Sequence, residues 1–183
     1  HDIDDAQHAA YLDYQGIALA SAERPSAMYI AKNNNALLRY PAMRRLNREF
    51  HAVVMFREPL SHAASLLAMH RKYCAMQADD PFVLEYMDWL AHHEFGLGHK
   101  PFHFPSTQRM PAGDPTTLDH WLQLWINHYQ EVLTLDAHRL HLVSYERYCT
   151  APNDVLQHIS EVAGRSVEGF GYDAYTKVRA VEG

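Results

Sequence analysis

Three short apolar runs punctuate the chain, separated by longer stretches of helical character. Residues 27–31 read Ala-Met-Tyr-Ile-Ala, residues 52–56 Ala-Val-Val-Met-Phe, and residues 140–144 Leu-His-Leu-Val-Ser. Each is bounded by turn-forming or charged residues and has the length of a strand, so each predicts a buried β-strand. Residues 6–22 are Ala-rich with one glycine and no proline, and predict a helix ended by Glu23-Arg24-Pro25-Ser26. A second helix is expected over 36–50, broken or restarted at Pro41. Pro59 suits a first helical turn, and 60–76 continues it. Asp79-Asp80-Pro81 opens a further helix to about residue 95. Residues 96–116 hold three glycine or proline clusters and predict a long irregular loop of the kind that often carries function. Thr116-x-x-Asp119 has the pattern of a capping box. After it Leu118, Trp121, Leu122, Trp125, Tyr129, Val132 and Leu133 fall on one helical stripe, read as core rather than as a ligand platform. Residues 153–163 form a last amphipathic helix, with Gly164 where a C′ glycine belongs.

Strands that alternate with helices, each strand an unbroken apolar run, imply an α/β domain with a parallel sheet covered on both faces. At 183 residues one domain is expected, spanning 1–183. Ligands of such sheets bind beyond the carboxyl ends of the strands. The residues to inspect are therefore 32–35, 57–65 and 145–146.

Charge and composition narrow the partners. A formal net charge of −6 argues against a nucleic-acid-binding surface but leaves room for one basic pocket. Two cysteines are too few for a disulfide framework, and no Cys-x-x-Cys exists; the pair allows a single bridge, a reducing compartment fits as well, and a cytoplasmic setting is the expectation. No apolar run reaches the roughly 18 residues of a spanning helix. The acidic start lacks both the character of a signal peptide and an initiator Met, so a processed chain or a fragment is expected.

The strongest local signal is Val-Val-Met-Phe-Arg57-Glu-Pro-Leu-Ser61-His-Ala-Ala-Ser65. A strand ends at an arginine, a helix starts two residues later, and Ser61 and Ser65 lie one turn apart on it. An anion there would meet a guanidinium, hydroxyls and a helix N-terminus together. The plainer reading, equally weighted on spacing alone, pairs Arg57 with a carboxylate and leaves the serines to solvent.

Strand-Arg-x-Pro-helix, with a serine eight positions after the arginine, resembles the 3′-phosphate motif of the sulfotransferases. These enzymes use 3′-phosphoadenosine 5′-phosphosulfate (PAPS) as co-substrate and require no metal for it. The resemblance implies that Arg57 and Ser65 hold the 3′-phosphate. Lys32 sits where the family has a strand-end lysine that steadies the sulfonate, as an ammonium suits charge developing on the breaking S–O bond. Leu140 to Ser144, then Tyr145-Glu146 and Pro152, looks like the family's strand-Tyr-Glu segment, with Tyr145 bordering the adenine. Trp125 and Tyr129 are similar to its aromatic helix. The implied fold is a three-layer, P-loop-NTPase-like parallel sheet, incomplete at its N-terminus. The implied reaction moves a sulfonate to a hydroxyl or amine of a small-molecule or glycan acceptor, with 66–116 on the acceptor side.

The departures from the family pattern define the alternative. No glycine-rich phosphosulfate loop precedes Arg57, where Gly16 is the one glycine, and no G-x-x-x-x-G-K-[ST] occurs anywhere. Asn34 stands where many members have a catalytic histidine, and an amide is not a base. The C-terminal basic segment is echoed only by Lys177, Arg179 and Gly183. The alternative is a non-catalytic nucleotide- or protein-binding module of the same fold.

Fourteen histidines raise the question of a metal. The densest group, His92-His93-Glu94 with His99 and His103, lacks His-Glu-x-x-His spacing, and solvated or hydrogen-bonded histidines are expected. Arg44, Arg45 and Arg48 read as a solvated helix face. Neither Ser65 nor Ser144 lies in a nucleophile elbow, which argues against a serine hydrolase.

Overall fold

A computed structural model describes residues 2–22, 27–33, 35–107 and 113–165. The chain divides into two compact units, His1–Phe50 and His51–Gly183.

The first unit carries helices α1 (Asp5–Ala20) and α2 (Ala36–Leu46). Asp4 and Gln7 close a reciprocal capping box at the start of α1. Pro41 lies inside α2 without breaking it, contrary to the sequence expectation. Pro41 is the sixth of the eleven residues, so one backbone hydrogen bond is lost at mid-helix, and the turns on either side carry the helix through. Residues 27–33 form no strand, which corrects the first strand assignment, and Ile30 is 84% exposed. A five-residue apolar run does not by itself separate strand from coil. Arg44 is buried rather than solvated. Its guanidinium donates to the carbonyls of Arg48 and Phe50 at 2.8 and 3.0 Å and to the Tyr40 hydroxyl at 2.9 Å. It also lies over the Phe50 ring, so Arg44 fastens the turn after α2.

The second unit is mixed α/β and mostly helical. Its order is β1 (Ala52–Phe56), α3 (Pro59–Asp79), α4 (Pro81–Trp89), α5 (Leu118–Thr134), β2 (Leu140–Ser144), α6 (Tyr145–Thr150) and α7 (Pro152–Val162). Both strands fall on the bounds read from the sequence. They pair in parallel, Ala52 opposite Leu140 through Phe56 opposite Ser144, and make a two-stranded sheet. The long helical crossover between them is what a parallel pair requires.

The core lies between α3 and α5. Ala63, Leu67 and Trp121 are its buried centre, with Leu66, Phe95, Leu118, Leu122 and Leu124 packed round them. Ala63, Leu67 and His70 follow the helical repeat along α3 and share one face. Trp121 is 2% exposed, and burying an indole of that size is worth about 5 kcal/mol of transfer free energy. Its Nε1–H donates to the Pro115 carbonyl at 2.8 Å.

Three expectations shift here. α4 ends at Trp89 rather than near residue 95, because Ala91 turns into the left-handed region at φ 55°. The capping box at Thr116 does not form. Thr117 is the N-cap of α5, and its hydroxyl instead donates to the Asp114 carbonyl. Leu133 leaves the apolar stripe and is 78% exposed. Gly164 does close α7. It adopts φ 66° and donates to the Glu161 carbonyl, while Arg165 donates to that of Ser160.

Candidate anion site at the strand ends

The parallel register brings the carboxyl ends of β1 and β2 side by side. Phe56 faces Ser144, so the next residues, Arg57 and Tyr145, emerge together. The Arg57 guanidinium carbon lies 5.0 Å from the centre of the Tyr145 ring. Arg57 is half-buried, and among the described residues its guanidinium forms no ion pair with a carboxylate. The plain pairing that the sequence allowed is therefore not made.

Two carboxylates organise the corner instead. Glu58 is the N-cap of α3 and accepts from the Leu60 and Ser61 N–H groups at 3.0 and 2.6 Å. Glu146 accepts from the Glu58 N–H at 2.8 Å and from the Ser144 hydroxyl at 2.9 Å. Hydrogen bonds from Ser61 and Leu60 hold the Glu58 carboxyl below its ordinary range. The backbone hydrogen bond from Glu58 does the same for Glu146, with Ser144 and the Arg57 charge adding to it. The free donors of the α3 N-terminus are thus already engaged. A second anion arriving here meets the guanidinium rather than the helix end, which corrects the expectation that the two act together. Ser61 is spent on the cap.

Ser65 lies further along α3, exposed, and its hydroxyl makes no hydrogen bond among the described residues. Beneath the corner, the Tyr129 hydroxyl donates to the Met55 carbonyl at 3.1 Å and ties α5 to the end of β1. His62, on the first turn of α3, feels the charges of both Arg57 and Glu146. Burial first, and the Arg57 charge second, push its imidazole toward the neutral form. Lys32 belongs to the first unit, where it is exposed on irregular backbone. Asn34, Lys177, Arg179 and Gly183 lie outside the described residues.

Of the sequence candidates, then, the structure brings Arg57 and Tyr145 together and leaves Ser65 on the adjoining helix. Sequence reading missed Glu58 and Glu146 as organising groups. The signal for Glu58 was present, since an acidic residue directly before a helix-starting proline is a natural N-cap. A flat ring, an open guanidinium and an exposed hydroxyl suit a phosphate-sized anion attached to an aromatic base. Among the described residues no group of three or more His, Cys, Asp or Glu side chains is gathered as a metal site, and no helix is long and apolar enough to cross a membrane. Cys74 and Cys149 are both free thiols.

Searches against protein families, curated proteins and solved structures found no match to the chain.

Proposed function

We propose that the chain is the 3′-phosphate-binding part of a PAPS-dependent sulfotransferase with a three-layer α/β fold. The observation that carries this reading is the stacking on Tyr145 of an Arg57 guanidinium that forms no ion pair among the described residues, at the carboxyl ends of two parallel strands. In this reading Arg57 takes two phosphate oxygens through its planar fork, Ser65 donates a third hydrogen bond, and Tyr145 borders the adenine. Lys32 neutralises charge on the departing phosphate oxygen, and the sulfonate passes to a hydroxyl or amine of a small-molecule or glycan acceptor. Residues 66–116 stand on the acceptor side.

One feature favours a second reading, a nucleotide- or protein-binding module without transfer chemistry. The α3 N-terminus, a natural seat for an anion, is filled by the chain's own Glu58.

Calorimetric titration with adenosine 3′,5′-bisphosphate tests the shared part of both. Micromolar binding is expected, with Arg57→Ala weakening it about 10- to 100-fold, the value of a charge-assisted contact. A folded wild type that does not bind the bisphosphate removes the sulfotransferase reading. Binding without release of sulfonate from PAPS to any hydroxyl or amine acceptor selects the module.

A further inference from the structure

Away from the strand ends, three histidines from distant parts of the second unit meet round one tryptophan. His70 of α3, His99 of the following loop and His120 of α5 have ring centres 5.3, 5.0 and 5.4 Å from that of Trp121. His70 and His120 are 3% and 5% exposed, so water does not serve their nitrogens: both nitrogens of His70 have partners within the protein, whereas His120 has one at Nε2 and none at Nδ1 among the described residues.

Their contacts fasten the loop. The Gly96 N–H donates to His70 Nδ1 at 3.2 Å, which fixes the proton of neutral His70 on Nε2, facing the Cys74 sulfur at 3.5 Å. His99 Nε2 and His120 Nε2 lie 3.2 Å apart, with ring centres separated by 5.4 Å. The nitrogens therefore sit nearly on the line between the rings. That is the geometry of an N–H···N hydrogen bond, not of two ligands bent round a metal. Beside this pair the Leu97 N–H donates to the buried Gln77 Oε1 at 2.6 Å.

We propose that His70, His99 and His120 form an acid-sensitive latch that holds residues 91–107 against α3 and α5. Protonating His70 replaces the acceptor for Gly96 by a second donor, and two N–H groups then face each other in a buried site. Protonating both His99 and His120 does the same to their shared bond. The surroundings do not stabilise such charges. The three rings act on one another, and Arg71 opposes charge on His70. Cys74 stays a neutral thiol because burial raises it. Asp114 is the carboxylate that favours the charged rings, and it is exposed and held by the Thr116 N–H. The carbonyls of His93 and Glu94 near His99, and of Gly113 near His120, favour charge weakly, while their ring Nδ1 atoms close no hydrogen bond. Burial outweighs these attractions and holds all three rings below the ordinary imidazole value of 6.5.

The sign follows. The closed loop requires a neutral His70 and at least one neutral ring in the His99–His120 pair, and burial disfavours charge on all three, so the open state binds more protons. The latch is at full strength above pH 6.5 and weakens as pH falls through 6.5 toward each ring's lowered value. If the loop borders the acceptor side as proposed above, acid opens that side, but the latch stands whether or not that reading holds.

Hydrogen-exchange mass spectrometry on the whole chain tests it. Between pH 7.5 and 5.5, after correction for intrinsic rates, peptides within 91–107 are expected to lose protection by about tenfold for each ring that stays neutral when closed. Peptides of β1 and β2 should change less. His70→Asn with His99→Gln and His120→Gln keeps hydrogen-bonding groups without titrating, and should remove most of the acid dependence, leaving the part that His128 contributes through its contact with Phe104. Unchanged wild-type protection, or the same acid response in the triple variant, overturns the latch. Should that variant not fold, the ring-proton NMR titration of the wild type decides. Midpoints below 6.5 for the three rings support the latch, and ordinary midpoints overturn it. Adenosine bisphosphate binding is measured separately, so either proposal can fail alone.

Discussion

The Arg57 guanidinium lies over the Tyr145 ring because two parallel strands end in register one residue before each. The contact is a cation–π stack across the end of the sheet, and it orients the guanidinium without consuming its N–H donors. Tyr145→Phe keeps the ring face and should leave adenosine bisphosphate affinity within about twofold. Tyr145→Ala removes the face and should weaken binding about two- to fivefold, the worth of an exposed cation–π contact. Titration calorimetry separates these, and equal losses in both variants would point to the hydroxyl instead of the ring.

Arg57→Lys tests the fork. Lysine keeps the charge but not the planar pair of donors, nor the stacking surface. Affinity for the bisphosphate should fall about tenfold, between wild type and Arg57→Ala, if the arginine takes two phosphate oxygens at once. Inorganic phosphate competition in the same titrations should follow the same order. A lysine variant as tight as wild type would reduce Arg57 to a simple point charge.

Much of this corner was readable in advance, and the reasons are specific. Residues 52–56 and 140–144 are apolar, rich in strand-forming residues and sharply bounded, and both became strands on those limits. The rule that ligands gather at strand ends then singled out Arg57 and Tyr145. Residues 27–31 carry a similar pattern yet form no strand, because a short run gains strand structure only from a partner that the run itself does not reveal. The capping role of Glu58 is local and was legible from its place before Pro59, whereas that of Glu146 depends on its carboxylate reaching the Glu58 N–H across 88 positions of sequence, which spacing does not encode. The histidine cluster was invisible for the same reason. His70, His99 and His120 share no local motif, and the packing of α3 on α5 alone assembles them, whereas the dense local group at 92–94 gathers no metal set among the described residues.

Gly96 is fixed by two independent constraints. It has φ 86°, and a Cβ there would stand 2.2 Å from Gln77 Oε1. Gln77 is buried and its oxygen accepts from Leu97, so it does not yield freely. Gly96→Ala should destabilise the second unit by about 2–4 kcal/mol, the sum of left-handed backbone strain and a displaced buried hydrogen bond. Gly98→Ala meets Leu84 Cδ1 at 3.2 Å, with His93 Nδ1 at an ordinary 3.9 Å, at an unremarkable backbone angle, and should cost well under half as much. Urea unfolding of the two variants side by side checks the ratio, and equal losses would contradict the Gln77 contact.

Trp121→Phe retains an aromatic core residue while removing the Nε1–H bond to Pro115. The Pro115 carbonyl loses its donor and the smaller ring leaves space beside Ala63 and Leu67. Together these should cost about 2–4 kcal/mol of stability with an unchanged denaturant slope. A loss below about 1 kcal/mol would mean that the α3–α5 core is loosely packed round the indole.

His62 and His128 add to the acid sensitivity of the latch, and the His128 ring packs edge-on against Phe104 of the loop at 5.9 Å. Burial lowers both, with Arg57 acting next on His62 and His62 next on His128. The folded state therefore keeps them neutral, and the unfolded chain takes up more protons below the ordinary value of 6.5. Global stability should hold steady above pH 6.5 and decline as pH falls from there toward the lowered folded values. For His128 the ceiling is about 1.4 kcal/mol per pH unit. His128→Gln should flatten part of this decline while leaving the exchange behaviour of residues 91–107 acid-sensitive, because His128 is not among the groups acting on the latch rings. Urea midpoints from pH 7.5 to 5.5 measure it. A wild-type midpoint that does not move across this range would mean that both rings charge freely in the folded protein, and that the packing round them admits water.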